Sequence, residues 1–273
     1  MHYAPTIHPP RHQPAFMKKL DFFFLFLCLF HQTACQSKPI PYWTLQNIDA
    51  TNERVQQVKK TLQACDDGLQ KVFVQTPGPL LILTYGSRPS FVEGLKKEQG
   101  FSEEAVAFFR DKSAPRPLNG KYLIPPDQKL VNVCHEIVHH YLETNTSREH
   151  LLNGAKWFDE GSASYFSRTL LQKNFLEEQK KAFIAKGPST FLPLSPISTE
   201  ALWETFRNNL DQRDLAYTQS CQMVRYFFEH HTIKDYQTLL FQMKTLSFEE
   251  SFQKVTDISV AEFYEEWKKA YSQ

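Results

Sequence analysis

Apolar residues recur every three or four positions over 51–74, at Val55, Val58, Leu62, Cys65, Leu69 and Val72, which predicts an amphipathic helix. An unbroken apolar run at 80–84, bounded by Pro79 and Gly86, predicts a buried strand. Helical spacing returns at 90–99 and 102–111, on either side of Gly100. A second strand is predicted at 119–124, closed by Pro125 and Pro126. The clearest period follows: Leu130, Val131, Cys134, Ile137, Val138 and Tyr141 predict a helix over 127–143, with Asp127 as its N-cap. A loop at 144–153 leads into a further helix at 155–173. Gly187, Pro188, Pro193 and Pro196 mark 185–198 as irregular, and 199–273 reads as four or five helices. This order predicts an α+β protein, with a small mixed sheet and its helices in 51–145 and an all-helical half in 146–273.

The N-terminus follows a different logic. Residues 1–16 are rich in His and Pro and have no apolar period. Lys18 and Lys19 precede an apolar run at 22–30, the shape of a signal peptide and too short to span a bilayer. The run ends in Gln32-Thr33-Ala34-Cys35, which resembles the lipobox of bacterial lipoproteins, although Leu is usual where Gln32 stands. The expectation is a signal peptide over 1–34, with Met17 as an alternative start. An acylated Cys35 would then tether an exported protein to a bacterial cell-envelope membrane. A cleaved secreted protein and an uncleaved anchor are the other readings. Residues 35–50, with Pro39 and Pro41, read as a tether.

Composition narrows the classes. The chain has 273 residues, 41% hydrophobic and 22% charged, which argues against wholesale disorder. Its 31 basic and 30 acidic residues give a net charge of +1. Residues 1–34 carry three of the basic groups (Arg11, Lys18, Lys19) and one acid (Asp21), so a processed chain would stand at −1. Neither value is a nucleic-acid footprint. No glycine-rich phosphate loop is present. With Cys28 removed and Cys35 acylated, Cys65, Cys134 and Cys221 remain, and three thiols leave one unpaired. Cys65–Cys221 is the first pairing to consider; three buried thiols fit as well.

His135-Glu136-Ile137-Val138-His139 is an HExxH pattern inside the helix predicted from periodicity. Residues four apart on a helix lie about 40° apart around the axis, so both imidazoles leave one face and can take two corners of a zinc tetrahedron. Glu136 stands where a base must be to take a proton from water on that metal. A catalytic zinc needs a third protein ligand and an open position. Glu160, in Trp157-Phe158-Asp159-Glu160-Gly161-Ser162-Ala163, lies on the next predicted helix. Small Gly161 and Ala163 would let that helix approach the first. The competing readings are a chance HExxH and a surface-facing Glu160.

HEIVH followed by WFDEGSASY resembles the gluzincin zinc metallopeptidases, above all the peptidase MA-like domains of bacterial exported proteins. Tyr217–Phe227 and the stretches 247–252 and 261–267 are similar to later helices of that family, so the resemblance covers roughly 120–270. It implies a zincin-like fold with one Zn2+ per chain, held by His135, His139 and Glu160, and a peptide or protein substrate. It assigns Glu136 to water activation and Tyr217 to hydrogen bonding at the oxyanion. It also makes the strand at 119–124 the edge along which an extended substrate would align. A non-catalytic binding lipoprotein with a structural or vestigial zinc site is the alternative.

The remaining candidates have narrower expectations. Asp159 could orient a ligand imidazole. His140 is expected in solvent or behind the ligands, and His230 and His231 at a helix C-terminus, where imidazole complements the dipole. Cys134 and Trp157 are expected in the core. The pairs Glu249-Glu250 and Glu265-Glu266 should lie on solvated helix faces.

Overall fold

The structure, a computed structural model, describes residues 41–109, 115–172, 174–206 and 209–272. The expected signal peptide and the Cys35 acylation site fall outside the described residues. Among the described residues, three strands make one parallel sheet in the order β1-β2-β3: β1 (Trp43–Asn47), β2 (Leu80–Thr84) and β3 (Lys121–Ile124). The sheet is therefore parallel rather than mixed. Parallel neighbours need crossover connections. These are α1 (Asn52–Leu69) between β1 and β2, and α2 (Arg88–Gln99) with α3 (Glu103–Phe109) between β2 and β3.

β1 occupies sequence expected to be a tether. Its residues pair with β2 from Trp43↔Leu80 to Asn47↔Thr84. Trp43 and Leu45 turn inwards between exposed Thr44 and Gln46, an alternation too short to mark a strand beside Pro39 and Pro41. Its stability comes from the ladder on β2, a long-range partner.

α1 starts at Thr51, whose hydroxyl accepts from the Arg54 N–H, and buries Val58, Leu62, Cys65 and Leu69. It ends five residues before the predicted limit. Past Leu69 the chain closes in a turn, with the Val72 and Phe73 N–H groups donating to the Leu69 carbonyl, and then finds tertiary partners: Asn145 Oδ1 accepts from the Gln75 N–H, and Gln237 Nε2 donates to the Val72 carbonyl. Those bonds replace the helical ones the segment gives up.

α4 (Leu130–Asn145) starts later than predicted. Asp127 is not its cap. It pairs with Arg88, while Gln128 closes a turn onto Pro125, and the N-cap position falls to Lys129 with no side-chain bond. A Cys65–Cys134 disulfide ties α4 to α1. This corrects the expected Cys65–Cys221 pairing: Cys221 is a free, buried thiol. The bridge also gives Cys134 a covalent role beyond packing.

The loop expected at 144–153 contains a short helix, α5 (Arg148–Leu152), and 185–198 ends in another. α6 (Lys156–Leu171) runs through the interior, with residues buried on every side, including Trp157, Phe158, Ser162 and Ser167. It packs between α4 and α10 (Leu210–His230). A Cβ on Gly161 would lie 2.4 Å from the Ser220 carbonyl oxygen, so its missing side chain serves the contact with α10. Gly161, expected to admit α4, therefore admits α10.

α7 (Phe175–Ala185), α8 (Leu194–Ser198) and α9 (Glu200–Trp203) precede α10. The chain closes with α11 (Ile233–Gln242), α12 (Phe248–Thr256) and α13 (Val260–Tyr271). Each of these last three carries a reciprocal capping box, Thr232 with Asp235, Ser247 with Glu250 and Ser259 with Glu262. Glu250 is thus a cap as well as a surface group, and Glu249 accepts from the Val260 N–H. Trp157, Phe248, Phe252 and Phe263 form the aromatic centre of this half. No helix among the described residues is long and apolar enough to cross a membrane.

Candidate metal centre

α4 and α6 lie against one another with His135 and His139 on one and Glu160 on the other. The Nε2 atoms of His135 and His139 are 3.1 Å apart. Glu160 Oε2 lies 3.2 Å from the first and 3.3 Å from the second. An ion bound tetrahedrally at ~2.0–2.1 Å from its donors spaces them by ~3.3 Å, so these atoms already mark one face of such a site. They are also the one group of metal-compatible donors found among the described residues. The donor set fits: two imidazole nitrogens and a carboxylate oxygen suit zinc, and His135 remains partly open to solvent, its side chain 15% exposed.

Asp159 fixes the tautomer of His139. His139 Nδ1–H donates to Asp159 Oδ1 at 2.7 Å, leaving the Nε2 position to face the other donors. Burial raises the Asp159 carboxyl's pKa, but Arg116, His139 and Lys156 outweigh it and hold the group ionised. For His139, burial and Arg116 disfavour the imidazolium, yet Asp159 and Glu160 prevail and push it up to about 9.

Two basic residues absent from the sequence reading complete the cluster. Arg116 Nη2 donates to Asp159 Oδ2 at 2.7 Å and to Glu160 Oε1 at 2.8 Å. Lys156 Nζ lies 2.7 Å from Glu160 Oε1 and 2.7 Å from Glu200 Oε2. Burial works against ionising Glu160, but Lys156, His139 and Arg116 hold its pKa well below the usual carboxylate range. Lys156 carried a usable signal: it sits four residues before Glu160 on a helix with little solvent-facing surface, where a cation needs a partner. Arg116 gave none, because it arrives from a loop 44 positions away.

Glu136 is half-buried, and no hydrogen bond or ion pair among the described residues holds its carboxylate. It is near enough to oppose ionisation of both Tyr122 and Tyr217. Tyr217, on α10, lies with its ring 6.1 Å from the His135 ring and edge-on to Trp203. Burial first, then Glu160 and Glu136, push its hydroxyl pKa well above the ordinary value, so it remains a donor at neutral pH.

The other histidines stand apart. His140 packs beside Tyr42, and its pKa is lowered by burial. His230 and His231 end α10, thirteen or more residues beyond Tyr217 and thus ~20 Å along the axis; His230 Nδ1 bonds the Tyr226 carbonyl. Trp157 is fully buried among Phe248, Phe252 and Phe263.

The chain matches no model of a known protein family, and no curated protein sequence matches it. The chemistry of the site rests on its own geometry.

Proposed function

We propose that this protein is a zinc-dependent peptidase of gluzincin type with a zincin-like fold. The observation that supports the reading most directly is the convergence of His135 Nε2, His139 Nε2 and Glu160 Oε2, all within 3.1–3.3 Å of one another, from two helices. One Zn2+ held by these residues would supply a Lewis acid for the scissile carbonyl and acidify water at the remaining open position.

The chain's own groups do the rest. Glu136 follows the first ligand and has no competing partner among the described residues, so it is free to take the proton from the attacking water and pass it to the leaving amine nitrogen. Tyr217 donates its hydroxyl to the developing oxyanion. Asp159 keeps His139 in the ligating tautomer. β3 is an edge of the sheet, but Lys121 pairs back with Leu118 and the rest of the strand is fully buried, so the expected alignment of an extended peptide along it would need this edge to open. The Cys65–Cys134 bridge favours an oxidising, exported compartment, in keeping with lipid attachment at Cys35.

A second reading, a non-catalytic exported binding lipoprotein, draws support from the Arg116 and Lys156 contacts, which satisfy Glu160 without any metal. Zinc analysis and cleavage of a mixed peptide library, with and without chelator, decide between them. The peptidase reading expects about one zinc per chain and chelator-sensitive cleavage. It also expects Glu136→Gln to retain zinc and lose cleavage. Zinc without cleavage supports the binding reading, and a zinc content near zero removes both.

A further inference from the structure

We infer that Arg116 and Lys156 form a cationic clamp on Glu160 that reserves one carboxylate oxygen for the metal and competes with the metal for the carboxylate's charge. The inference rests on the metal reading of the site. Its starting point is the unequal surroundings of the two oxygens. Oε1 takes Arg116 Nη2 at 2.8 Å and Lys156 Nζ at 2.7 Å. Among the described residues, Oε2 faces the two imidazoles alone. A carboxylate free to turn can offer both oxygens to an ion and fill the position that water or a carbonyl needs. With Oε1 taken by two cations, one oxygen is left to offer.

The charges are arranged to match. Asp159, Glu160 and Lys156 are 0%, 5% and 3% exposed, and the Arg116 side chain is 23% exposed. Two buried carboxylates without counter-charges would be strongly destabilising. Arg116 and Lys156 balance them before any metal arrives. Glu143, 3.8 Å from Arg116 Nη1, and the more exposed Glu200, beside Lys156, flank the pair. The folded, metal-free site is thus electrostatically complete. An arriving dication then shares Glu160 with the two cations, so clamp and metal weaken each other's hold. The same competition draws electron density from the ligand oxygen and leaves the ion a stronger Lewis acid. Both are positioning residues, since they act through Glu160.

The test uses the full chain and zinc alone, with affinity from chelator competition and thermal unfolding with and without zinc. Lys156→Gln keeps a hydrogen-bond donor and removes the charge. It is expected to lower the apparent zinc dissociation constant about tenfold, within the usual range of coupling between sites. It should also enlarge the zinc-induced rise in Tm, while Lys156→Arg behaves as wild type. A purely structural lysine predicts the reverse: affinity unchanged or weaker in Lys156→Gln, and either result overturns the clamp. Should Lys156→Gln fail to fold, zinc-edge X-ray absorption on wild-type protein decides. One carboxylate oxygen on the ion upholds the clamp, and two overturn it. Wild-type protein that binds no zinc removes the metal reading and the clamp together. Zinc binding indifferent to Lys156→Gln removes the clamp alone.

Discussion

His139 Nδ1 and Asp159 Oδ1 lie 2.7 Å apart, and this bond joins α4 to α6 immediately beside Glu160. The residue preceding the third donor thereby orients the second. Both side chains are almost wholly buried, so water cannot replace the bond if one partner is lost.

Asp159→Asn keeps the shape but can present its amide instead of an acceptor, and it removes one carboxylate from the cluster. Zinc affinity is expected to fall by about 10–100-fold, as for other partners that orient metal ligands. Chelator competition on folded protein checks it; an unchanged affinity would mean that His139 is held in place by packing alone.

Gly161 admits the α10 main chain. Its hypothetical Cβ falls 2.4 Å from Ser220 O and 2.7 Å from Ser220 C, and backbone cannot swing aside as a side-chain tip can. Gly161→Ala is expected to cost about 1–3 kcal/mol in denaturant unfolding. Because Glu160 is its neighbour, weaker zinc binding should accompany the loss. Gly68 provides a contrast: the atoms in its way belong to the Leu170 side chain, which can move, so Gly68→Ala should cost less.

The Cys65–Cys134 bridge closes a loop with a sequence separation of 69 and ends one residue before His135. Cys65→Ala with Cys134→Ala should destabilise the fold by about 2–5 kcal/mol, through lost restriction of the unfolded chain. Denaturant titrations of both proteins measure this directly. Cys221 is not expected to substitute, since it is a separate buried thiol on α10.

Stability should decline in acid partly through the last three helices. Hydrogen bonds from Thr232, Ser247 and Ser259 lower the pKa values of Asp235, Glu250 and Glu262 in the folded state. A lowered folded pKa gives stability that is full above the ordinary carboxylate range and disappears as pH falls through the folded value. The combined variant Asp235→Asn, Glu250→Gln, Glu262→Gln should therefore show a shallower fall of Tm below pH 5 or so. Equal slopes in the two proteins would show that the acid sensitivity arises elsewhere.

The site was partly legible before any fold. Periodicity put His135 and His139 on one helix, and helical geometry alone places side chains four apart on one face. β2 and α4 were legible because an apolar run or a helical period is written locally. β1 was not, because its apolar alternation is limited to Trp43 and Leu45 and the ladder on β2 is what makes it a strand.

What the sequence by itself determined is the set of short-range arrangements: two imidazoles and a carboxylate on one turn-and-a-half of helix, and the apolar faces. These follow from sterics and hydrogen bonding among residues a few positions apart. The tertiary structure decided which distant groups meet. It paired Cys134 with Cys65 rather than Cys221, turned Gly161 towards α10, and brought Arg116 across 43 and 44 positions to Asp159 and Glu160. Such contacts depend on the path of loops and the docking of whole helices, and no local pattern encodes either.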